Sequence, residues 1–68
     1  MISENLKRLR EENGLSQSEL SRASGVSQSM IAQLERGTKA FTLITAKILV
    51  DTLGCKLDDL LDDQQKGA

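Results

Sequence analysis

Short or hydrogen-bonding side chains recur at helical spacing between residues 28 and 36. They share one side of a helix, within an arc of about 140°, and are Gln28, Ser29, Ala32, Gln33 and Arg36. A Gln amide donates and accepts at once, so it matches N6 and N7 of adenine, whereas Ser and Ala permit close approach to base edges and thymine methyl groups. Arg reaches a guanine or a phosphate. The pattern favours a face that reads DNA bases in the major groove.

The alternative is an ordinary solvent-exposed helix face, because polar residues cover the outside of most helices. Against it, this face lacks the Glu–Lys pairs that such helices commonly carry. The opposite side has Met30, Ile31 and Leu34, which can pack against a core. The choice therefore depends on what precedes the helix.

A helix with a strong start signal precedes it. Ser16 is a candidate N-cap, and Glu19 three residues later completes a capping box. This predicts a helix from Gln17 to Ser24 that ends at Gly25, because glycine accepts the left-handed conformation of a helix C-terminus.

A second start follows at once. Ser27 is the next N-cap, and its helix runs to Arg36 before Gly37. Two short helices thus flank a turn of about three residues, which predicts a helix-turn-helix unit over residues 16–36.

The first of these helices begins with three polar residues, Ser16, Gln17 and Ser18. Unpaired backbone N–H groups at a helix N-terminus attract anions, so this end is a candidate DNA phosphate site. Ser16 can also be only a cap. The two roles are compatible, since the cap forms with or without DNA.

Three further helices are predicted from caps and periodicity, at about Ser3–Asn13, at Leu43–Leu53 after the cap Thr42, and around Leu57–Asp62. The expected fold class is all-α, a compact five-helix bundle. One DNA-binding domain is expected over residues 1–62, followed by a frayed tail, 63–68.

Two charged residues border apolar helix faces, Arg10 in the first helix and Glu35 in the third. They can form a partly buried ion pair that ties the first helix to the reading helix. The alternative is two separate solvated charges.

The fourth helix is apolar on more than one side. Its expected core residues are Leu43, Ala46, Leu49, Val50 and Leu53. Ile44 and Ile48 remain, four residues apart, and with Phe41 they are candidates for a self-association surface. Alternatively, they complete a slightly rotated core.

Composition excludes several classes of function. The 68 residues include no His and one Cys, so a disulfide, a zinc ligand set and a Ser–His or Cys–His nucleophile are not expected. No cofactor motif and no apolar stretch of membrane-spanning length are present. We expect a non-enzymatic, cytoplasmic protein without metal or cofactor. Cys55 is either a small core residue or a redox sensor.

The net charge of −1 is unevenly distributed. Residues 1–47 carry +2, whereas residues 48–68 carry −3. Positive charge therefore concentrates where the DNA surface is predicted, and the acidic end can face away from phosphates.

Residues 15–37, LSQSELSRASGVSQSMIAQLERG, resemble the lambda-repressor/Cro (XRE-like) family of helix-turn-helix proteins. Leu-Gly at 53–54 and Leu-Asp-Asp-Leu-Leu at 57–61 extend the resemblance over about residues 2–62. It implies a five-helix DNA-binding fold. It also implies roles by position: phosphate binding at Gln17, base reading at Gln28, Ser29 and Gln33 with Ala32 beside them, an Arg10–Glu35 ion pair, and backbone contacts from Thr38 and Lys39.

The chain departs from the family pattern at three places. Ala40-Phe41 stands where relatives often have a proline, Lys56 stands where Ser or Thr often caps the last helix, and Lys47 takes a commonly apolar position.

The function expected from these features is a transcriptional regulator, acting as a repressor or by touching RNA polymerase. It would bind double-stranded DNA as a homodimer, on a near-palindromic operator, with two recognition helices in successive major grooves. The alternative from another class is a protein-interaction module, such as an antitoxin with a toxin partner.

Overall fold

The computed structural model describes residues 2–61, and this part of the chain forms five α-helices and no strand. The helices are α1 (Ile2–Glu12), α2 (Gln17–Ser24), α3 (Gln28–Arg36), α4 (Leu43–Leu53) and α5 (Leu57–Leu61). The predicted all-α, five-helix bundle is confirmed. The bounds of α2, α3 and α4 are as predicted, whereas α1 begins and ends one residue earlier. The predicted end of α5 at Asp62 and the tail 63–68 lie outside the described residues.

Local hydrogen bonds set the bounds of α2. Ser16 Oγ accepts a 3.0 Å bond from the Glu19 N–H, and the Glu19 carboxylate accepts a 2.8 Å bond from the Ser16 N–H. The bond that the carboxylate accepts from the Ser16 backbone N–H is the main cause that lowers the pKa of Glu19, and the Ser16 side chain acts in the same direction. Gly25 ends α2 with φ +82°, in the left-handed region. The predicted capping box and glycine stop are both present.

The helix after this turn starts in the same way. Ser27 Oγ accepts a 3.1 Å bond from the Met30 N–H, and Gly37 ends α3 with φ +79°. A turn of three residues, 25–27, therefore separates α2 from α3. This is the geometry of a helix-turn-helix unit.

All five helices contribute to one hydrophobic core. Its most deeply buried side chains are aliphatic, namely Leu6, Leu20, Ile31, Leu34, Leu49, Val50 and Leu60. The α3 helix packs against α1 and α2, while α4 packs against α2 and α5. This arrangement holds α3 on one side and leaves its other side open.

The prediction that Leu43 belongs to the core is wrong, because 71% of the residue is exposed. The buried stripe of α4 starts one turn later, at Ala46. Leu43 lies in the first turn of the helix, at the rim of an open groove that Leu57 and Phe41 also line. Nothing in residues 2–61 covers it. Ile44 is also exposed, at 74%, so the alternative in which it completes a rotated core is wrong as well.

The short α5 helix is held at both ends. At its start, the Lys56 backbone N–H donates a 3.0 Å bond to the Asp59 carboxylate. This is one of the two bonds of a capping box, and it forms although Lys56 stands in place of a Ser or Thr cap. Near its end, the buried Asn5 side chain donates to the Leu60 carbonyl. No helix within residues 2–61 has the length and apolar character needed to cross a membrane.

Candidate nucleic-acid interface

The predicted reading residues lie together on the open side of α3. Gln28, Ser29 and Arg36 are exposed, while Ala32 and Gln33 are half-buried. Ile31 and Leu34 fix the opposite side in the core, with Met30 half-buried beside them. Within the described residues, the amides of Gln28 and Gln33 make no hydrogen bond to the protein. Their donors and acceptors are thus available to an outside partner.

The start of α2 offers two open backbone donors. The capping box uses two of the backbone N–H groups here: the Glu19 N–H donates to Ser16 Oγ, and the Ser16 N–H donates to the Glu19 carboxylate. The N–H groups of Gln17 and Ser18 are the first two of the helix and have no carbonyl one turn earlier to bond. They sit at the positive end of the helix dipole, which suits a phosphate.

Arg10 and Glu35 form the ion pair that their positions indicated. Arg10 Nε lies 2.6 Å from Glu35 Oε2, and Arg10 Nη2 donates to Glu35 Oε1 at 3.0 Å. Their side chains are only 10% and 4% exposed, so the alternative of two solvated charges is wrong. The contact is bidentate, which is the strong geometry for an Arg–carboxylate pair.

Two further bonds extend this pair into a network that no sequence pattern predicts. Arg10 Nη1 donates to the Leu15 carbonyl at 2.7 Å, and Gln17 Nε2 donates to Glu35 Oε1 at 3.0 Å. The network therefore joins α1, the loop before α2, the first residue of α2 and the end of α3. Gln17 and Glu35 are 18 residues apart, so no helical periodicity relates them.

Both charges of the pair are stabilised. The hydrogen bond to Glu35 raises the pKa of Arg10 against the opposing effect of burial. Burial is the largest single influence on Glu35 and acts to raise its pKa, while hydrogen bonds from Arg10 and Gln17 act to lower it. The positive charges of Arg10 and Lys7 act in the same direction, so the pKa of Glu35 is lowered. The pair is ionised at neutral pH.

The last residue of α3 and the loop after it carry the remaining predicted phosphate contacts. Arg36, Thr38 and Lys39 are all exposed. The Thr38 hydroxyl donates to the Gln33 carbonyl at 3.3 Å, which holds the loop against the last turn of α3. This places two cations at the C-terminal end of the reading helix.

An apolar surface lies on α4 and α5, and we call its members, Leu43, Ile44, Ile48 and Leu57, the α4 patch. These residues and Lys47 line a surface concavity of about 500 Å³. Lys47 bonds to Asp51 at 2.8 Å, so both signs of charge flank the patch. Phe41, the third predicted member of a self-association surface, instead packs half-buried against the core.

Phe41 lines a neighbouring groove of about 210 Å³, together with Ile2 and Leu61. Leu43 and Leu57 line both the groove and the concavity. The two depressions therefore form one continuous apolar strip.

Cys55 is half-buried and packs against the core. Burial, followed by the negative charges of Asp59 and Glu12, raises the pKa of its thiol. This environment disfavours the reactive thiolate and fits the core role rather than the redox role. Among residues 2–61 no group of His, Cys, Asp and Glu could hold a metal ion.

Known proteins resemble this chain in sequence. The profile of the HTH_3 family, described as helix-turn-helix, matches residues 6–60. An uncharacterized HTH-type transcriptional regulator, y4dJ of Sinorhizobium fredii (strain NBRC 101917 / NGR234), is 43% identical over 54 residues, or 79% of this chain and 70% of the relative.

Solved structures share the fold. The restriction-modification controller protein C.AhdI of Aeromonas hydrophila superposes with a TM-score of 0.84 at 30% identity, over 87% of this chain and 89% of its own. An HTH_3 family transcriptional regulator of Vibrio cholerae gives 0.85 at 32%, over 88% of this chain and 34% of the longer protein. A chain of the SinR–SinI protein complex gives 0.86 at 29%, over 100% of this chain and 67% of that one. Since the profile covers most of the chain, and relatives that share its sequence also share its fold, the chain belongs to the HTH_3 (XRE-like) family of DNA-binding, helix-turn-helix transcriptional regulators.

Proposed function

We propose that the chain represses transcription as a homodimer that binds a near-palindromic DNA operator, with α3 in the major groove of each half-site. The observation that carries this is the open face of α3. Its glutamine amides make no hydrogen bond within the described part of the protein, while the opposite side is fixed in the core. A recognition helix needs this combination of free hydrogen-bonding groups and a rigid support.

Base reading is assigned to residues of the first two turns of α3. Gln28 and Gln33 each suit an adenine, because their amides can bond N6 and N7 together. Ser29 and the small Ala32 let the helix approach base edges and thymine methyl groups closely. The half-site is therefore expected to contain A·T pairs at the positions that the two glutamines face.

Phosphate binding is assigned to both ends of the helix-turn-helix unit, through Ser16, Gln17 and Ser18 at one end and Arg36, Thr38 and Lys39 at the other. Only two of these residues are cations. Because phosphate charge is the usual source of nonspecific affinity, this protein has to rely more on base contacts and dimerisation.

Dimerisation is assigned to the α4 patch, and its occupant is a second copy of the chain. A two-fold interface brings one surface against itself, so the surface has to be self-complementary. Two features support this condition: exposed Ile44 lines an apolar concavity, and Lys47 and Asp51 supply both signs of charge.

The size of a stable dimer interface indicates how far the contact extends. Such interfaces bury about 800 Å² on each partner, which is about a fifth of the 4117 Å² that this chain exposes. Four side chains cannot supply this area, so the interface is expected to continue along the apolar strip to Phe41 and Leu61. For the operator proposal to hold, this contact has to place the two α3 helices at half-sites about 34 Å apart.

Selection of duplex DNA from a randomised pool, at two salt concentrations, tests DNA reading. A palindromic motif is expected, and Gln28→Ala and Gln33→Ala should each weaken binding to it. Glu11→Ala, an exposed truncation on α1, is the control and should leave both motif and affinity unchanged. Binding that selects no motif and is abolished at the higher salt concentration would contradict the proposal.

Sedimentation analysis tests the interface. Ile44→Lys with Ile48→Glu should turn the dimer into a monomer, whereas Arg8→Glu with Glu12→Arg, which reverses an exposed ion pair of the same four-residue spacing on α1, should not. A dimer that persists in the variant with Ile44→Lys and Ile48→Glu would exclude the α4 patch as the dimer interface.

A protein partner is the second candidate function. Two observations favour it: the apolar strip is exposed, and one structural neighbour was solved in a complex of SinR with SinI. A wild-type chain that is monomeric and binds no motif would favour this candidate, with a toxin or RNA polymerase as the partner to test.

A further inference from the structure

We propose that Arg10 and Glu35 are positioning residues that turn the Gln17 amide so that one of its N–H groups faces a DNA phosphate. The inference rests on the proposed function, because it concerns how a proposed phosphate contact is made. The ion pair is buried between α1 and α3, so it would act on DNA only through Gln17.

The orientation of the Gln17 amide follows from its partner. Glu35 is an ionised carboxylate, which only accepts hydrogen bonds, so the amide nitrogen must face it. The observed contact, Gln17 Nε2 to Glu35 Oε1 at 3.0 Å, has this orientation. One N–H of the amide is used in this bond. The second N–H has no partner within the described residues, and it belongs to the same residue as one of the two open backbone donors of α2.

A phosphate imposes the same requirement from the other side. Phosphate oxygens only accept, so a Gln that turns its oxygen outward repels the phosphate, while one that turns its nitrogen outward binds it. An unsupported Gln samples both orientations and several rotamers. The bond to Glu35 excludes the orientation with the oxygen outward already in the free protein. Less conformational entropy is therefore lost when DNA binds.

The carboxylate that orients Gln17 is itself fixed. Both of its oxygens bond to Arg10, and Arg10 is anchored by the Leu15 carbonyl at 2.7 Å. Arg10 has a second role, because Glu35 alone would place an uncompensated negative charge near a phosphate. The ion pair thus supplies an acceptor for Gln17 without net charge.

A double-mutant cycle on the full chain tests the coupling. The background variant is Arg10→Met with Glu35→Leu, which removes both charges at once and leaves no unpaired buried ion. Gln17→Met is made in the wild type and in this background. Affinity is measured on a duplex carrying the selected motif, at a temperature where circular dichroism shows every variant folded.

Gln17→Met should weaken wild-type binding about tenfold, as expected for one hydrogen bond to a charged group. In the background lacking the ion pair, the same change should weaken binding less than twofold, because an unpositioned Gln17 contributes little. Gln33→Ala is the matched control and should cost the same in both backgrounds. The selected motif should stay unchanged throughout, since a phosphate contact carries no base information.

Two results would overturn the inference while DNA reading stands. One is an equal loss from Gln17→Met in both backgrounds, which would leave the ion pair a purely structural role. The other is no loss from Gln17→Met while Gln28→Ala and Gln33→Ala still weaken binding. Failure of the proposed function looks different, because then no motif is selected and neither α3 variant has an effect.

A measurement on the wild type avoids any dependence on the variants folding. In ¹⁵N-resolved NMR spectra of the free protein, one side-chain NH₂ proton of Gln17 should lie downfield of both NH₂ protons of the exposed Gln28, because it bonds to a carboxylate. Adding the duplex should shift mainly the other Gln17 proton. Gln17 protons at the positions of those of Gln28 in the free protein would overturn the inference.

Discussion

The buried side chain of Asn5 donates a 2.8 Å hydrogen bond to the backbone carbonyl of Leu60, 55 residues further along the chain. This bond fastens the first helix to the last and so closes the bundle around its core. Asn5 is a polar residue on a helix face whose neighbours Leu6 and Leu9 are apolar and buried.

Replacing Asn5 tests the importance of this closure. Asn5→Ala should lower the free energy of unfolding by about 1–3 kcal/mol, because the Leu60 carbonyl loses its buried donor. Urea denaturation followed by circular dichroism measures the change. Glu12→Ala, which breaks only an exposed ion pair with Arg8 in the same helix, is the control and should change it by less than about 0.5 kcal/mol. An equal loss in both variants would contradict the role assigned to Asn5.

Stability should fall in acid through Glu35. Its pKa is lowered in the folded protein, so the stabilisation is complete above the unfolded-state pKa and is lost as the pH falls through the lower folded-state pKa. Urea denaturation between pH 7 and pH 3 should show a steeper decline for the wild type than for Arg10→Met with Glu35→Leu. Parallel declines would mean that the ion pair does not cause the acid sensitivity.

Two serines at the start of α2 should separate stability from DNA binding. Ser16 Oγ caps the helix, so Ser16→Ala should lower the free energy of unfolding by about 1 kcal/mol. Ser18 is not the cap, so Ser18→Ala should leave stability unchanged and weaken DNA binding by loss of a phosphate contact. Thermal unfolding and a DNA titration on both variants measure this. A reversed pattern would contradict the assignment.

The exposure of Leu43 predicts a contrast with Leu49, which is fully buried in the same helix. Leu49→Ala should lower the free energy of unfolding by about 2–5 kcal/mol, since it leaves a cavity in the core. Leu43→Ala should cost far less in the monomer and should weaken self-association instead. Urea denaturation and sedimentation on the two variants test the contrast, and similar losses of stability would place Leu43 in the core after all.

The sequence predicted the features that depend on near neighbours. Ser16, Ser27 and Thr42 each cap through a bond three residues away, and a glycine ends each of the three helices that they begin. Such signals are local, so the bounds of α2, α3 and α4 could be read directly. The open face of α3 followed from periodicity for the same reason.

The features that the sequence did not predict depend on how helices meet. Leu43 has the spacing of a core residue. Its burial depends on whether a neighbouring helix extends as far as the first turn of α4, and that is set by the packing of the helices rather than by local sequence. Gln17 and Glu35 lie in different helices, and only the packing of α2 against α3 brings their side chains together. Family resemblance indicated the Arg10–Glu35 pair but not the role of Gln17 as its third member.

The α4 patch has a consequence for regulation in the cell. If the operator is bound by two copies joined through this surface, and the chain is mostly monomeric at low abundance, promoter occupancy rises with the square of protein concentration. A gradual change in expression then becomes a sharp threshold in repression. Trimming Ile44 to a smaller side chain would move that threshold to higher concentration, while the DNA sequence recognised by α3 would stay the same.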